Sequence, residues 1–195
     1  DVSRQFYAAG FRNLQLDDCT WGAIVGAAAK QRYQSLGLDI EEVKAQLLKV
    51  NNLALENRPE DMVITSHICR GNYHSTFFTS GPYDSVADYV FAQEHVDALL
   101  LEYDDERSGG FAPLAKVSPD KKVVLGLITT KKPELEDKDK VIARIHEAAK
   151  YIPLDRLCLS PQCGFASCEI GNKITEEQQW AKLALVKEIA EEVWK

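Results

Sequence analysis

Apolar residues in this chain gather in two alternating kinds of run. "DMVITSHIC" (Asp61–Cys69), "DALLLEY" (Asp97–Tyr103), "KKVVLGLI" (Lys121–Ile128) and "DRLCLSP" (Asp155–Pro161) are apolar-rich stretches of strand length, and "FRNLQLD" (Phe11–Asp17) reads as a further short strand. Between them, apolar residues recur at helical spacing. A helix closes at Gly10. Ile40, Val43, Leu47 and Leu48 make a stripe over Asp39–Leu55, and Val141, Ile142, Ile145 and Ala149 make another over Asp137–Ile152. Asp84–Glu94 is predicted as a helix with Asp84 as its N-cap. The last helix, Thr175–Trp194, opens on a threonine cap with Glu176 and Glu177 in its first turn.

The pattern therefore predicts five strands, each followed by a helix, with strands that read as apolar on both faces. That is a parallel sheet covered by helices. An open doubly wound sheet and a (β/α)8 TIM-type barrel both satisfy it. Polar residues decide between them, because they cluster at the C-terminal strand ends: Asp17 and Asp18, His67 and Cys69, Glu102, Thr129 and Thr130, Cys163. A barrel brings those ends to one mouth, whereas an open sheet spreads them out. No G-x-G-x-x-G turn follows any strand. We expect a barrel, with residues 1–195 as a single domain forming the C-terminal five or so strand–helix units. Five strands do not close a barrel, so about three more units are expected before Asp1. Alone, the chain would expose sheet edges and tend to form a homo-oligomer.

Composition narrows the setting. With 195 residues, 45% of them hydrophobic and 27% charged, the chain can build one ordinary core. A formal charge of −7, with basic residues only in short clusters, argues against nucleic acid as a partner. No apolar run reaches the ~18 residues of a membrane span. The start, "DVSRQFYAAG", has no signal-peptide pattern and no initiating Met, so it reads as a processed or cut end. Five scattered cysteines do not form a secreted disulfide framework. They fit a reducing cytoplasm, with thiols free to bind metal or react.

The chemistry lies at the strand ends. His67 and Cys69 share one side of a strand by its period of two. With Glu102 and Cys163 they offer one nitrogen, two sulfurs and one oxygen, a set Zn²⁺ takes in tetrahedral geometry. Such a sulfur-rich zinc is a poor acid for splitting water and suits a substrate thiol, which it would present as a thiolate. Each member alone has a plainer reading. His-x-Cys is often a core pair, Glu102 could pair with Arg107 at the surface, and Cys163 could be a structural loop thiol. Cys158, inside a strand and facing the core, and Cys168 are the alternative sulfurs. Asp17 could receive the ammonium of an amino-acid substrate, with Asp18 as a helix N-cap. Arg70, Asn72 and His74 are candidates for holding a substrate carboxylate or closing the site. His95 reads as exposed, and Trp21 as core.

The order Asp, His-x-Cys, Glu, then "PQCGF" resembles the C-terminal catalytic barrel of cobalamin-independent methionine synthase, in its shorter single-barrel form. "QLDD" is similar to the family's strand ending in an acidic pair, which implies that Asp17 holds the homocysteine amino group. "SHIC", "LLLE" and "SPQCGF" are similar to its zinc-bearing segments, which implies His67, Cys69, Glu102 and Cys163 as ligands of Zn²⁺. The resemblance implies a methyltransferase that moves a methyl group to the homocysteine thiol to give methionine, with a separate methyl donor as partner. One departure stands out. Where the family carries a histidine that assists the donor, "GLITTKKPELE" has Thr129, Thr130 and Lys131. Two alternatives follow: another thiol or a non-folate donor, and a non-catalytic fragment with a structural zinc.

Overall fold

In the computed structural model, which describes residues 2–195, five strands form one parallel sheet. They are β1 (Asn13–Asp17), β2 (Val63–Ile68), β3 (Ala98–Glu102), β4 (Lys122–Ile128) and β5 (Leu157–Pro161), hydrogen-bonded in the order β1-β2-β3-β4-β5. Strictly sequential order is the order of a β/α barrel; a doubly wound sheet reverses direction partway. The helices are α1 (Val2–Ala8), α2 (Cys19–Ile24), α3 (Ala27–Ser35), α4 (Ile40–Leu55), α5 (Asp84–Ala87), α6 (Val90–Gln93), α7 (Lys138–Ala148) and α8 (Glu176–Val193). Their caps follow local chemistry. Asp39 and Asp137 accept backbone N–H groups at the starts of α4 and α7, and Thr175 and Gln178 close a reciprocal capping box on α8.

Three expectations need correction. The segment 84–94 is not one helix, and Asp84 is not its cap. Tyr83 holds the cap position of α5 without a side-chain bond, and Asp84 is the first helical residue. Tyr83 is fixed there by its buried ring, which lies under the Arg70 guanidinium, and by its hydroxyl, which accepts from the Glu102 N–H. The break before α6 falls at Tyr89, whose ring stacks on Trp21 and whose hydroxyl donates to Glu41. Nor are the strands apolar on both faces. Ile64, Ile68, Leu99, Leu101, Val123 and Leu125 are buried in one cluster with Trp21, Ile40, Phe91, Ile145 and Ile189 from the helices. The alternate positions Gln15, Asp17, Thr65, His67, Glu102 and Ser160 face the other way, onto the inner side of the sheet. Cys158 belongs to this inner series. It is half-buried and not in the helix-packed core.

One buried acid lies below the strand ends. Glu94 is fully buried and accepts from Asn51 Nδ2 (2.6 Å), which also donates to Asp18 Oδ2 (2.8 Å). Burial raises the Glu94 pKa above the ordinary carboxyl range. A raised acid binds its proton more tightly when folded. Its effect is absent below the unfolded pKa, and stability is lost as pH climbs from there to the folded pKa. Glu94→Gln has nothing to ionise. Its urea midpoint should therefore gain on wild type as pH rises above the ordinary carboxyl range of about 4; a difference that stays constant with pH would refute this account.

Candidate metal centre

Every expected ligand sits at the C-terminal edge of the sheet. Parallel pairing places Asp17 beside His67 across β1 and β2, and Glu102 beside Gly126 across β3 and β4. Cys69 follows β2 by one residue and Cys163 follows β5 by two. One donor atom from each of His67, Cys69, Glu102 and Cys163 lies within 4.8 Å of the others. Three of the four are buried and Cys163 is half-buried. The cavity beneath, about 140 Å³, is lined by His67, Cys163, Gln162, Ser160 and Gln15.

The side chains are aimed from outside. His67 Nδ1 lies 3.0 Å from Asp17 Oδ1, which holds the proton on Nδ1 and turns Nε2 toward the group. That Nε2 is buried, 3.7 Å from Glu102 Oε1, and has no hydrogen-bond partner. A buried ring nitrogen without a partner is costly unless something accepts its lone pair. Glu102 is fully buried, with Oε1 accepting from the Arg70 N–H (2.9 Å) and Oε2 from Arg107 Nη2 (2.7 Å). The Glu102–Arg107 pair expected at the surface does exist, but it is buried.

Charge follows from these contacts. Burial pushes the Glu102 pKa up, but His67, the Arg70 N–H, Lys131 and Arg107 outweigh it and the net shift is down. Burial likewise depresses His67, while Glu102, Cys163 and Asp17 raise it further, for a net rise. Between the two sulfurs, the Cys69 thiol hydrogen-bonds Cys163 and lowers the Cys163 pKa to about 6, helped by His67. Cys69 keeps its proton and is raised. One thiolate near neutrality, beside an imidazole and a carboxylate, is a donor set that fits a thiophilic divalent cation.

The remaining candidates fall elsewhere. Arg70 is buried, its Nη1 donating to the Gly81 carbonyl, so its side chain does not face a substrate. Asn72 Nδ2 donates to Gly164 O (2.6 Å) and Ser167 Oγ (2.8 Å), which ties the loop after Cys69 to the loop after Cys163. His74 Nδ1 sits 3.3 Å from Gly171 O in the same tie. Asn172, which sequence reasoning missed, donates to Asn72 Oδ1 and to Thr130 O, both at 2.9 Å, and so joins three loops. Trp21 is fully buried, His95 is exposed, and Asp18 caps α2 by accepting from Thr20 N–H. Cys158 and Cys168 lie outside the group, whereas Cys19 lies beside it. The donor atoms of Asp17, Cys19 and Cys69 are within 4.8 Å of one another.

The helix that carries Cys19 must pass very close. A Cβ built on Gly22 would sit 2.0 Å from the Cys69 carbonyl oxygen. Gly22→Ala should therefore cost about 1–3 kcal/mol and weaken metal binding together. Urea denaturation and metal titration would check it; an unchanged midpoint would show that α2 can slide.

Residues 3–192 match the catalytic-domain family of cobalamin-independent synthases. The chain belongs to that family. Two Bacillus subtilis (strain 168) relatives, the uncharacterized proteins YxjG and YxjH, are each 51% identical, over 97% and 98% of this chain. The chain spans about half their length, 50% and 51%. Among solved structures, a Listeria monocytogenes protein provisionally assigned as a vitamin-B12-independent methionine synthase superposes with TM-score 0.77 and 37% identity. The match covers 100% of this chain and 52% of that one. A B12-independent methionine synthase from Shewanella sp. W3-18-1, in complex with selenomethionine, superposes with TM-score 0.73 at 19% identity, over 98% of this chain and 51% of that one. The fold of this family member is thus the TIM-type barrel of the synthase catalytic domains, of which it spans part. Among its described residues, no helix is long and apolar enough to cross a membrane.

Proposed function

We propose that His67, Cys69, Glu102 and Cys163 hold a zinc ion and that this family member methylates a thiol, homocysteine, to give methionine. The observation that carries this reading is the donor set itself: two sulfurs, a buried imidazole nitrogen without a partner and a buried carboxylate, all within 4.8 Å at the mouth of the sheet. When bound, the metal lowers the pKa of a thiol and supplies a thiolate at neutral pH. The protein's residues do the rest. Asp17 fixes the His67 tautomer, and its exposed carboxylate faces solvent, where an amino-acid ammonium can meet it. Arg107 and the Arg70 N–H hold Glu102 in one orientation. The substrate sulfur then forms its bond to the methyl carbon as the donor–methyl bond breaks, and the electron pair leaves with the donor. Held positions convert this into an effectively intramolecular displacement.

At the donor side, Thr130 is bound to Gln162, and Lys131 is buried with no partner for its ammonium among the described residues. Zinc analysis combined with homocysteine titration tests the proposal. About one zinc per chain should be retained, and homocysteine should bind with release of a proton near pH 7. Absence of zinc would sink the metal centre; zinc without proton release would make it a closed structural site.

A further inference from the structure

Two buried N–H donors at the mouth of the sheet have nothing to donate to. Gln162, 2% exposed, accepts with Oε1 from both the Thr130 N–H (2.7 Å) and the Thr130 hydroxyl (2.9 Å). This fixes the amide, because only its oxygen can face a backbone N–H, and Nε2 is turned away from Thr130. Nε2 is buried and has no partner among the described residues. Lys131, 8% exposed, follows Thr130 directly, and its Nζ is likewise buried and unpartnered. Neither nitrogen belongs to the metal-donor group, yet both lie beside Glu102. Gln162 packs on Gly126, the cross-strand partner of Glu102: a Cβ built on Gly126 would sit 2.7 Å from the Gln162 Cα. Burial pushes the Glu102 pKa up, and Lys131 is among the groups that pull it down. The backbone that carries the pair is held in place. The Thr129 N–H donates to Glu136 Oε1 (2.9 Å), Lys182 grips Glu136, and Asn172 donates to the Thr130 carbonyl. A buried ammonium and a buried amide N–H both cost free energy until an acceptor arrives. One positive charge beside one neutral donor matches a carboxylate, whose single charge is shared by two oxygens.

We propose that Lys131 and Gln162 form a carboxylate-binding subsite for the methyl donor; this rests on the thiol-methylation reading above. Position separates the donor from the acceptor. Asp17 ends β1 and Lys131 follows β4, three strands further on. At ~4.8 Å per strand they stand roughly 14 Å apart along the sheet. His67, Cys69 and Glu102 lie on the strands between. The ammonium and carboxylate of an amino-acid thiol are bonded to one carbon. A thiol whose ammonium meets Asp17 therefore cannot place its own carboxylate on Lys131. The acid held at Lys131 belongs to the second molecule, whose methyl group is then turned toward the thiol. The subsite selects methyl donors that carry an acidic group.

Acetate is the probe, followed through the magnetic relaxation of its isotope-labelled carboxylate carbon. Zinc-loaded wild type should bind it saturably, and saturating homocysteine should leave that affinity unchanged. Lys131→Met and Gln162→Glu should each weaken acetate at least ~10-fold. Both substitutions nearly keep side-chain size, and Gln162→Glu keeps the oxygen that Thr130 uses. Lys131→Met should also raise the urea midpoint, since it removes a buried charge without a partner. Acetate binding that is equal in wild type and both variants, or absent from wild type, would overturn the subsite. Displacement of acetate by homocysteine but not by cysteamine, an amino thiol without a carboxylate, would move the subsite to the acceptor and overturn the donor assignment. Displacement by both thiols would put acetate on the metal and overturn it too. Metal-free protein should bind acetate as the zinc-loaded protein does, so failure to retain zinc would sink the metal centre without altering this measurement.

Discussion

Cys163→Ser is expected to lower zinc affinity by about 100-fold or more, roughly 3 kcal/mol, while the metal-free protein unfolds at nearly the wild-type urea concentration. The two parts of this result have separate causes. Cys163 is half-buried in a loop whose path is set by other residues: Gly164 O receives Asn72 Nδ2, and Asn172 joins that loop to Thr130. Removing the sulfur leaves those ties intact, so little folding energy is lost. The loss to metal is large because Cys163, its pKa lowered to about 6, is the sulfur that ionises first. A serine hydroxyl stays protonated there and binds a thiophilic cation poorly. Cys158→Ser and Cys168→Ser, outside the donor group, should keep their zinc. Full zinc in Cys163→Ser would remove Cys163 from the centre.

Arg107→Met is expected to cost about 3–5 kcal/mol of stability in the metal-free protein, the usual loss when one member of a buried pair is removed. Arg107 meets three carboxylates: Glu102 and Asp104 at 2.7 Å each and Asp105 at 2.5 Å. The side chains of Glu102 and Asp104 have 0% and 1% exposure, so neither can turn to water for compensation. Without the guanidinium, the Glu102 carboxylate would lose its one direct ion pair to an arginine, and a bound cation would compensate more of its charge. Zinc should therefore raise the urea midpoint of Arg107→Met by more than it raises that of wild type, and Arg107→Lys should fall between. An equal zinc effect in both proteins would mean that Glu102 does not face the metal.

Much of this arrangement is legible in sequence, and the reasons differ by element. The strands are readable because each outward face must be filled by Ile, Leu or Val against helices, leaving near-continuous apolar runs. The shared side of His67 and Cys69 follows from strand geometry alone. The inner polar face was hidden by the same runs: Leu100 and Val124 stand among Thr65, His67 and Ser160 and break the alternation. Helices α2 and α3 leave weak periodicity, since "AAAKQRYQS" has no apolar stripe. The roles of Arg70 and Asn72 could not be read either. Arg70 serves Glu102 through its backbone N–H, and Asn72 meets partners 92 and 95 residues away. Such side chains are assigned by tertiary contact. Cys19 was overlooked because its neighbour Asp18 reads as a helix cap, and a cap says nothing about where the next side chain points.

The knot around Asn172 also has a meaning in time. Asn72 and Asn172 are 100 positions apart, and Ser75 and Asn172 are 97 apart. Closing loops of that length is slow compared with forming local helices. The ties can form only after β2, β3, β4 and β5 have assembled into the sheet. In a refolding chain, helical signal should therefore return early, and the ability to capture a metal should appear last. Uptake of a coloured cation would then serve as a clock for the final step of assembly.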